Sequence, residues 1–229
     1  MTAAWVARLC ISLYISLPLF LFGGAVRGQS QSQRHDRQIW NDTQLAIALN
    51  KKVDFNLLGV LRIGRNVSRP VDERIGFSFS FKVSKYLTLT PGYLYIATQP
   101  LKNQKAFENR LSFAATLRGP VGGGFILTDR NLFERRIRHP QIDSTRYRNR
   151  LQVEHPFKIG EIKLYGFMAD EIFYDWSVKA WVRNRFTIGV GRTFNKHFTG
   201  ELYYLRQNDS HTKPGDLNVF GSTLKFRLK

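Results

Sequence analysis

Arg74-Ile75-Gly76-Phe77-Ser78-Phe79-Ser80-Phe81-Lys82-Val83 decides the fold. Taken two residues at a time, it separates into Ile75, Phe77, Phe79, Phe81 and Val83 on one side and Arg74, Gly76, Ser78, Ser80 and Lys82 on the other. Successive side chains of a β-strand point to opposite faces, so an extended backbone gives this segment one oily and one polar face. Wound at about 3.6 residues per turn, the same residues would scatter phenylalanine around the whole helix and leave no polar stripe. The segment is a strand.

Outward from it, the same period recurs along the chain. Between Glu108 and Arg118, Leu111, Phe113, Ala115 and Leu117 oppose Glu108, Arg110, Ser112, Thr116 and Arg118. Between Arg146 and Glu154, Tyr147, Leu151 and Val153 oppose Arg146, Arg148, Arg150, Gln152 and Glu154. Looser alternation over 53–63, 182–192 and 220–228 puts Arg62, Arg183 and Arg185 on polar faces, and Val182 with Phe186, Ile188 and Val190 on an oily one. Segments near 39–49, 87–98, 124–136, 162–174 and 198–207 complete a set of about eleven.

Short turns at 50–52, 84–86, 119–123 and 195–197 alternate with longer polar stretches at 64–73, 99–107, 137–143 and 208–216. Short connections on one rim and long ones on the other are the layout of a transmembrane barrel, the short rim being periplasmic. The expected fold is all-β: an antiparallel transmembrane β-barrel of 10–12 strands with short periplasmic turns and longer outer loops. Even counts are usual for bacterial single-chain barrels. Eleven segments therefore leave two options: 39–49 is an irregular first segment and the strands number ten, or one strand is unread and they number twelve.

The N-terminal segment has the form of an export signal. The first 28 residues have Arg8 ahead of an apolar run from Leu9 to Phe22, then small residues from Gly23 to Gly28 that suit signal peptidase. Cleavage is expected after Gly28, with Ala25 as second choice. The run is shorter than the roughly 18–20 apolar residues of a spanning helix, and Pro18 interrupts it. The expected organisation is a cleaved signal peptide over 1–28, a flexible polar segment over 29–37 and the barrel over 38–229. The one cysteine, Cys10, lies in the leader without a lipobox around it, so a disulfide-stapled fold is excluded. At 229 residues the chain suits one domain, and its 14% aromatic content fits a sheet with an apolar outer belt.

The formal charge is +18, and +16 remains without Arg8 and Arg27. Such a charge is commonly the footprint of a nucleic-acid binder, and Arg146-Tyr147-Arg148-Asn149-Arg150 has the form of a phosphate-gripping strip with an interleaved aromatic. An export signal, and an oily face opposite each basic one, argue against nucleic acid as a partner. In a barrel the guanidiniums belong in the lumen, because each one facing lipid near the midplane costs about 2–4 kcal/mol. The candidate lumen set is Arg62, Arg110, Arg118, Arg130, Arg146, Arg148, Arg150, Arg183 and Arg185, with Glu108, Glu134, Glu154, Glu171 and Glu201 as carboxylate partners. Such a lumen is either a lattice of ion pairs that fills the barrel or a basic track that attracts small anionic solutes.

Trp40, Glu108-Asn109-Arg110, Arg130 with Glu134, Arg146-Tyr147-Arg148-Asn149-Arg150-Leu151, Asp170-Glu171-Ile172-Phe173, and Asn184-Arg185 followed by Gly189 occur in this order. Together they resemble the outer-membrane barrels of domain-of-unknown-function family 2490, over nearly all of 38–229. That resemblance implies a barrel in the outer membrane of a Gram-negative cell, placed there by the barrel-insertion machinery, with no established activity. More distantly, the size and the arginine-lined interior look like the monomeric porins for acidic oligosaccharides, at the level of fold alone. One departure is the C-terminus, Phe226-Arg227-Leu228-Lys229, which does not end on an aromatic residue.

No metal or cofactor motif is present: His35, His139, His155, His197 and His211 show no HExxH or other ligand spacing, and Gly122-Gly123-Gly124 lacks the Gly-Lys-Ser/Thr of a phosphate loop and reads as a turn. His139 with Asp143, and His211 with Asp209 and Asp216, are the only acid–base pairings worth naming, and neither has a serine in a nucleophile setting. The expectation is no enzyme, no cofactor and no metal. The leading function is a narrow anion-preferring channel or solute-binding barrel. The alternatives are a non-conducting structural or adhesive barrel working through its outer loops and, behind it, a barrel hydrolase.

Overall fold

Every strand read above has backbone N–H and C=O groups along both edges, and the chain satisfies them by closing on itself. A computed structural model describes residues 35–101, 104–212 and 214–228, with backbone alone at 100, 101 and 104. The signal peptide expected over 1–28 lies outside the described residues. The strands are β1 (His35–Ala48), β2 (Val53–Gly64), β3 (Arg69–Lys82), β4 (Leu87–Leu101), β5 (Gln104–Gly122), β6 (Phe125–His139), β7 (Ser144–Ile159), β8 (Ile162–Asp175), β9 (Ala180–Asn195), β10 (Phe198–Asp209) and β11 (Asp216–Leu228). Each pairs with its sequence neighbours, and β1 pairs with β11 to close the barrel.

The parity question is settled at eleven described strands. Neighbours in such a meander run antiparallel, so with an odd number the first and last strands point the same way. The closing pair is accordingly parallel, in register from His35 opposite Asp216 to Ile47 opposite Leu228. Segment 39–49 is a full strand, and it begins earlier than expected: 35–37, read as flexible, are paired with β11.

The expected long loops are mostly strand. One rim, here called upper, carries the connections at 65–68, 140–143 and 176–179, together with the adjoining ends of β4 and β5 and of β10 and β11; the lower rim carries those at 49–52, 83–86, 123–124, 160–161 and 196–197. Asp72 sits in a stretch whose polarity reads as loop, and Arg74 and Glu108 are the first residues of their expected strands; β3 and β5 extend beyond all three, and their side chains turn inward, where ion pairs satisfy them. At the lower rim the expected turn at 119–123 tightens to 123–124, with Gly122, Gly123 and Gly124 all at positive φ, where only glycine is unstrained.

The outer face is apolar over most of its area. Ile75, Phe77, Leu111, Phe113, Phe133, Ile188, Leu202 and Phe220 stand on it, Phe220 with 68% of its surface open. It is not uniformly oily, however. Asp129, Asn131 and Asn149 form a hydrogen-bonded outward patch on β6 and β7, and Asn184 donates to Asp170 beside it. Val182 also departs from the expected alternation. Phe173 pairs with Arg183 and Tyr174 with Trp181, so Val182 is the extra residue of a bulge and is 4% exposed.

Inside, aromatic rings lie across glycines on the neighbouring strand. Tyr203 is in register with Gly221, and Tyr165 with Gly191. A Cβ on Gly221 would stand 2.1 Å from the Tyr203 ring. Gly221→Val is therefore expected to lower stability by about 1–3 kcal/mol. A second change, Tyr203→Ala, should recover part of that loss because it removes the obstructing ring, and denaturant midpoints of the single and double variants measure the coupling.

Candidate functional site

All the predicted lumen residues point inward, because they occupy the polar phase of their strands. They do not form one uniform lining. The interior is divided into an upper cavity of about 470 Å³ and a lower one of about 840 Å³, and Trp40, Arg62, Arg74, Arg110, Arg148 and Arg185 border both. Those six side chains define a waist.

The waist is held by two carboxylates that are almost fully buried. Glu171, 2% exposed, receives Arg130 at 2.8 Å and Arg148 at 2.7 Å, with Arg185 at 3.9 Å. Glu134 receives Arg148 at 2.8 Å and Arg110 at 3.1 Å. Arginine planes also stack on rings: the Arg62 and Arg185 guanidiniums lie 3.8 and 5.1 Å from the Trp40 centroid, and Arg148 lies 4.6 Å from that of Phe173. Stacking of this kind lets a cation sit against an apolar wall at little cost. Trp40 is itself fixed by a relay, its indole N–H donating to Gln38 and the Gln38 amide to Asp36.

Below the waist Arg118 forms a two-pronged pair with Glu154, at 2.7 and 2.8 Å. Glu201, expected to serve an arginine, instead receives Lys225 from neighbouring β11 and the Tyr165 hydroxyl from β8, which reaches it across Gly191 of β9. Arg130 and Arg150 stand directly opposite each other on β6 and β7. Like charges in that position repel. Arg150 donates only to Gln152 and has no carboxylate at ion-pair distance among the described residues, while the Nε of Arg130 is buried without a partner. The lower cavity is thus lined by two adjacent guanidiniums with spare donors.

Above the waist, aspartates that the sequence reading did not assign take up the remaining arginines. Arg146 meets Asp175 at 3.1 Å, Arg183 meets Asp209, and Arg62 and Arg74 share Asp72. Arg136, Arg138, Lys82, Lys225 and Arg227 are further inward cations missing from the predicted set. Lys82, Lys225 and Arg227 fall on the polar faces of their strands by the two-residue period, whereas Arg136 and Arg138 lie at and beyond the expected end of the segment 124–136.

The histidines remain apart. His139 ends β6, the His155 ring packs on Phe125, and His197 contacts the Arg227 carbonyl. Ser210 stands beside one of them, its Oγ 2.7 Å from His211 Nδ1 on an exposed turn. Asp209 does not orient that ring, for its carboxylate receives the His211 backbone N–H and Arg183. Among the described residues no three His, Cys, Asp or Glu side chains gather as a metal site would need.

This architecture defines a closed all-β barrel with an ion-paired, arginine-rich interior. The chain belongs to the family described as protein of unknown function (DUF2490), whose model matches residues 37–218. No curated protein matches it. Among solved structures it is similar to an anion-selective porin from Comamonas acidovorans, at 12% identity and TM-score 0.39, covering 79% of this chain and 54% of the porin. It is also similar to the siderophore receptor PirA from Pseudomonas aeruginosa, at 11% identity and TM-score 0.31, covering 72% of this chain and 34% of the receptor. The chain spans about half the length of the porin and a third of that of the receptor.

Because Glu171 serves three guanidiniums, Glu171→Gln should strand buried positive charge and destabilise the barrel by about 3–5 kcal/mol. Glu154→Gln, whose partner Arg118 is half exposed, should cost less than about 1 kcal/mol. Urea or guanidinium unfolding of the two variants side by side checks the contrast.

Proposed function

We propose that the mature chain is an outer-membrane barrel that admits small anions to its arginine-lined interior, as a narrow channel or a solute-binding barrel. The reading includes export through the 1–28 leader, insertion by the barrel-insertion machinery into a Gram-negative outer membrane, and the shorter-turned lower rim toward the periplasm. An apolar outer face supports the bilayer location. Inward guanidiniums are poorly placed to grip a nucleic acid, which speaks for the lumen reading of the charge.

The observation that carries anion preference is the Arg130–Arg150 pair. Two guanidiniums face each other across neighbouring strands in the larger cavity, and one of them has no carboxylate. A cation entering there meets repulsion and an anion meets unused donors. The runner-up is a barrel closed at its waist, favoured by the stacking of Arg62 and Arg185 on Trp40. Loop-mediated adhesion has less support, since the upper connections at 65–68, 140–143 and 176–179 offer little surface.

Planar-bilayer recording of the purified chain should show small steps with anion preference, and Arg150→Gln should reduce that preference. Cation selectivity sinks the proposal; silence at all voltages favours the closed barrel. In lipid vesicles, Phe113→Arg should weaken folding by about 2–4 kcal/mol, as an outward charge near the midplane does. An unchanged stability there would speak against a bilayer around β5.

A further inference from the structure

We infer that the upper cavity holds a tetrahedral oxyanion, such as a phosphoryl group, at Arg136, Arg138, Arg146 and Ser144. Glu108 stands opposite Arg138 on the neighbouring strand and would be its natural partner. Both Glu108 oxygens are already taken, by Arg110 at 2.7 Å and by Arg136 at 2.9 and 2.8 Å. Asp175 cannot make up the shortfall. One of its oxygens receives the Ser177 N–H and hydroxyl, and the other receives Arg146 at 3.1 Å, with Arg136 at 3.7 Å. Arg138 is left with no carboxylate at ion-pair distance among the described residues.

Four unused donors sit at neighbouring positions of β6 and β7. Arg136 Nη1, Arg138 Nε, Arg146 Nε and Ser144 Oγ are all buried without a hydrogen-bond partner. Ser144 is 2% exposed and lies opposite Arg136 in register, while Arg138 is two residues beyond Arg136 on the same face. The three arginines line the upper cavity, which reaches the upper rim at Gln141 and His211. Buried donors left unmet carry a substantial penalty. One anion with several acceptor oxygens would answer four of them and supply the negative charge Arg138 lacks. A carboxylate has only two oxygens. A phosphoryl or sulfuryl group has three or four in a tetrahedral arrangement, which suits donors arriving from separate side chains.

The inference rests on the anion-admitting reading, because the ligand must enter the lumen. Its test is calorimetric titration of the full chain folded in detergent, in an Arg150→Gln background that removes from the lower cavity its guanidinium without a carboxylate. Inorganic phosphate, glycerol phosphate and acetate are the probes, at fixed chloride. Both phosphates should bind, with acetate weaker by about tenfold or more, and Arg138→Gln should weaken phosphate by about tenfold. Ser144→Ala, a small change that keeps the charge pattern, should weaken it a few-fold, and outward Arg192→Gln should not alter it. Preference for glycerol phosphate over the free ion identifies a phosphate monoester as the source; the reverse order identifies the ion. Phosphate binding no tighter than acetate, or indifferent to both Arg138→Gln and Ser144→Ala, overturns the site. Anion preference of the unmodified chain in bilayers is recorded separately: if it persists while the phosphate result fails, the site alone is lost, and if it is absent the underlying reading falls as well.

Discussion

A sheet that leaves an edge leaves a row of unpaired backbone groups. The parallel seam between β1 and β11 removes that edge and is the constraint on which the rest of the structure depends. Its register decides which side of β11 faces inward. Leu217 and Val219 are brought beside Trp40, and Leu205 of β10 completes an apolar wall. Across the lumen, β5 to β8 present the guanidiniums and carboxylates. The interior is therefore two-sided, and Trp40 is where the sides meet, with Arg62 and Arg185 stacked on its ring.

On the charged side, carboxylates are scarcer than guanidiniums, so they are shared. Glu171 and Glu134 each face more than one arginine, and Arg148 bridges them. A shared buried carboxylate makes its arginines interdependent, because moving one changes the field and the hydrogen bonding seen by the others. The waist behaves as a unit for that reason. Charge left over after sharing appears at its margins, at Arg150 below and Arg138 above. Both margins are where cavity is present. Unpaired charge and water-sized space go together because a guanidinium without a carboxylate needs another source of oxygen.

The alternation is legible because the outward positions are so consistently apolar, as Ile75, Phe77, Leu111 and Phe113 show, while the arginines keep to the other phase. Strand ends were not legible. Near the rims both faces become polar, so Asp72 and Arg138 look like loop residues although their backbones are paired. Inward hydrophobics were also missed. Phe173, 1% exposed, and Phe167 follow the inward phase of β8, and nothing in a two-residue period distinguishes an oily residue that faces lipid from one that packs against arginines. Parity came from the seam, which pairs residues almost the whole chain apart. The aspartate partners came from the same kind of distance, since Arg183 meets Asp209 and Arg227 meets Asp54 only after the strands are aligned.

Arg146, Arg148 and Arg150 make the limit of sequence reading concrete. Spacing places them on one face of one strand, about 6.7 Å apart in succession. Nothing in that spacing separates them, yet each meets a different environment. Arg148 sits between two carboxylates and belongs to the waist. Arg146 has a single aspartate and a buried Nε left over. Arg150 faces another arginine and has an amide for company. Neighbouring strands, and not the ladder itself, determine whether a given rung is structural or available to a solute. A count of inward arginines therefore overstates the positive charge that a solute would meet, and the quantity that matters is the number whose oxygens the barrel fails to provide.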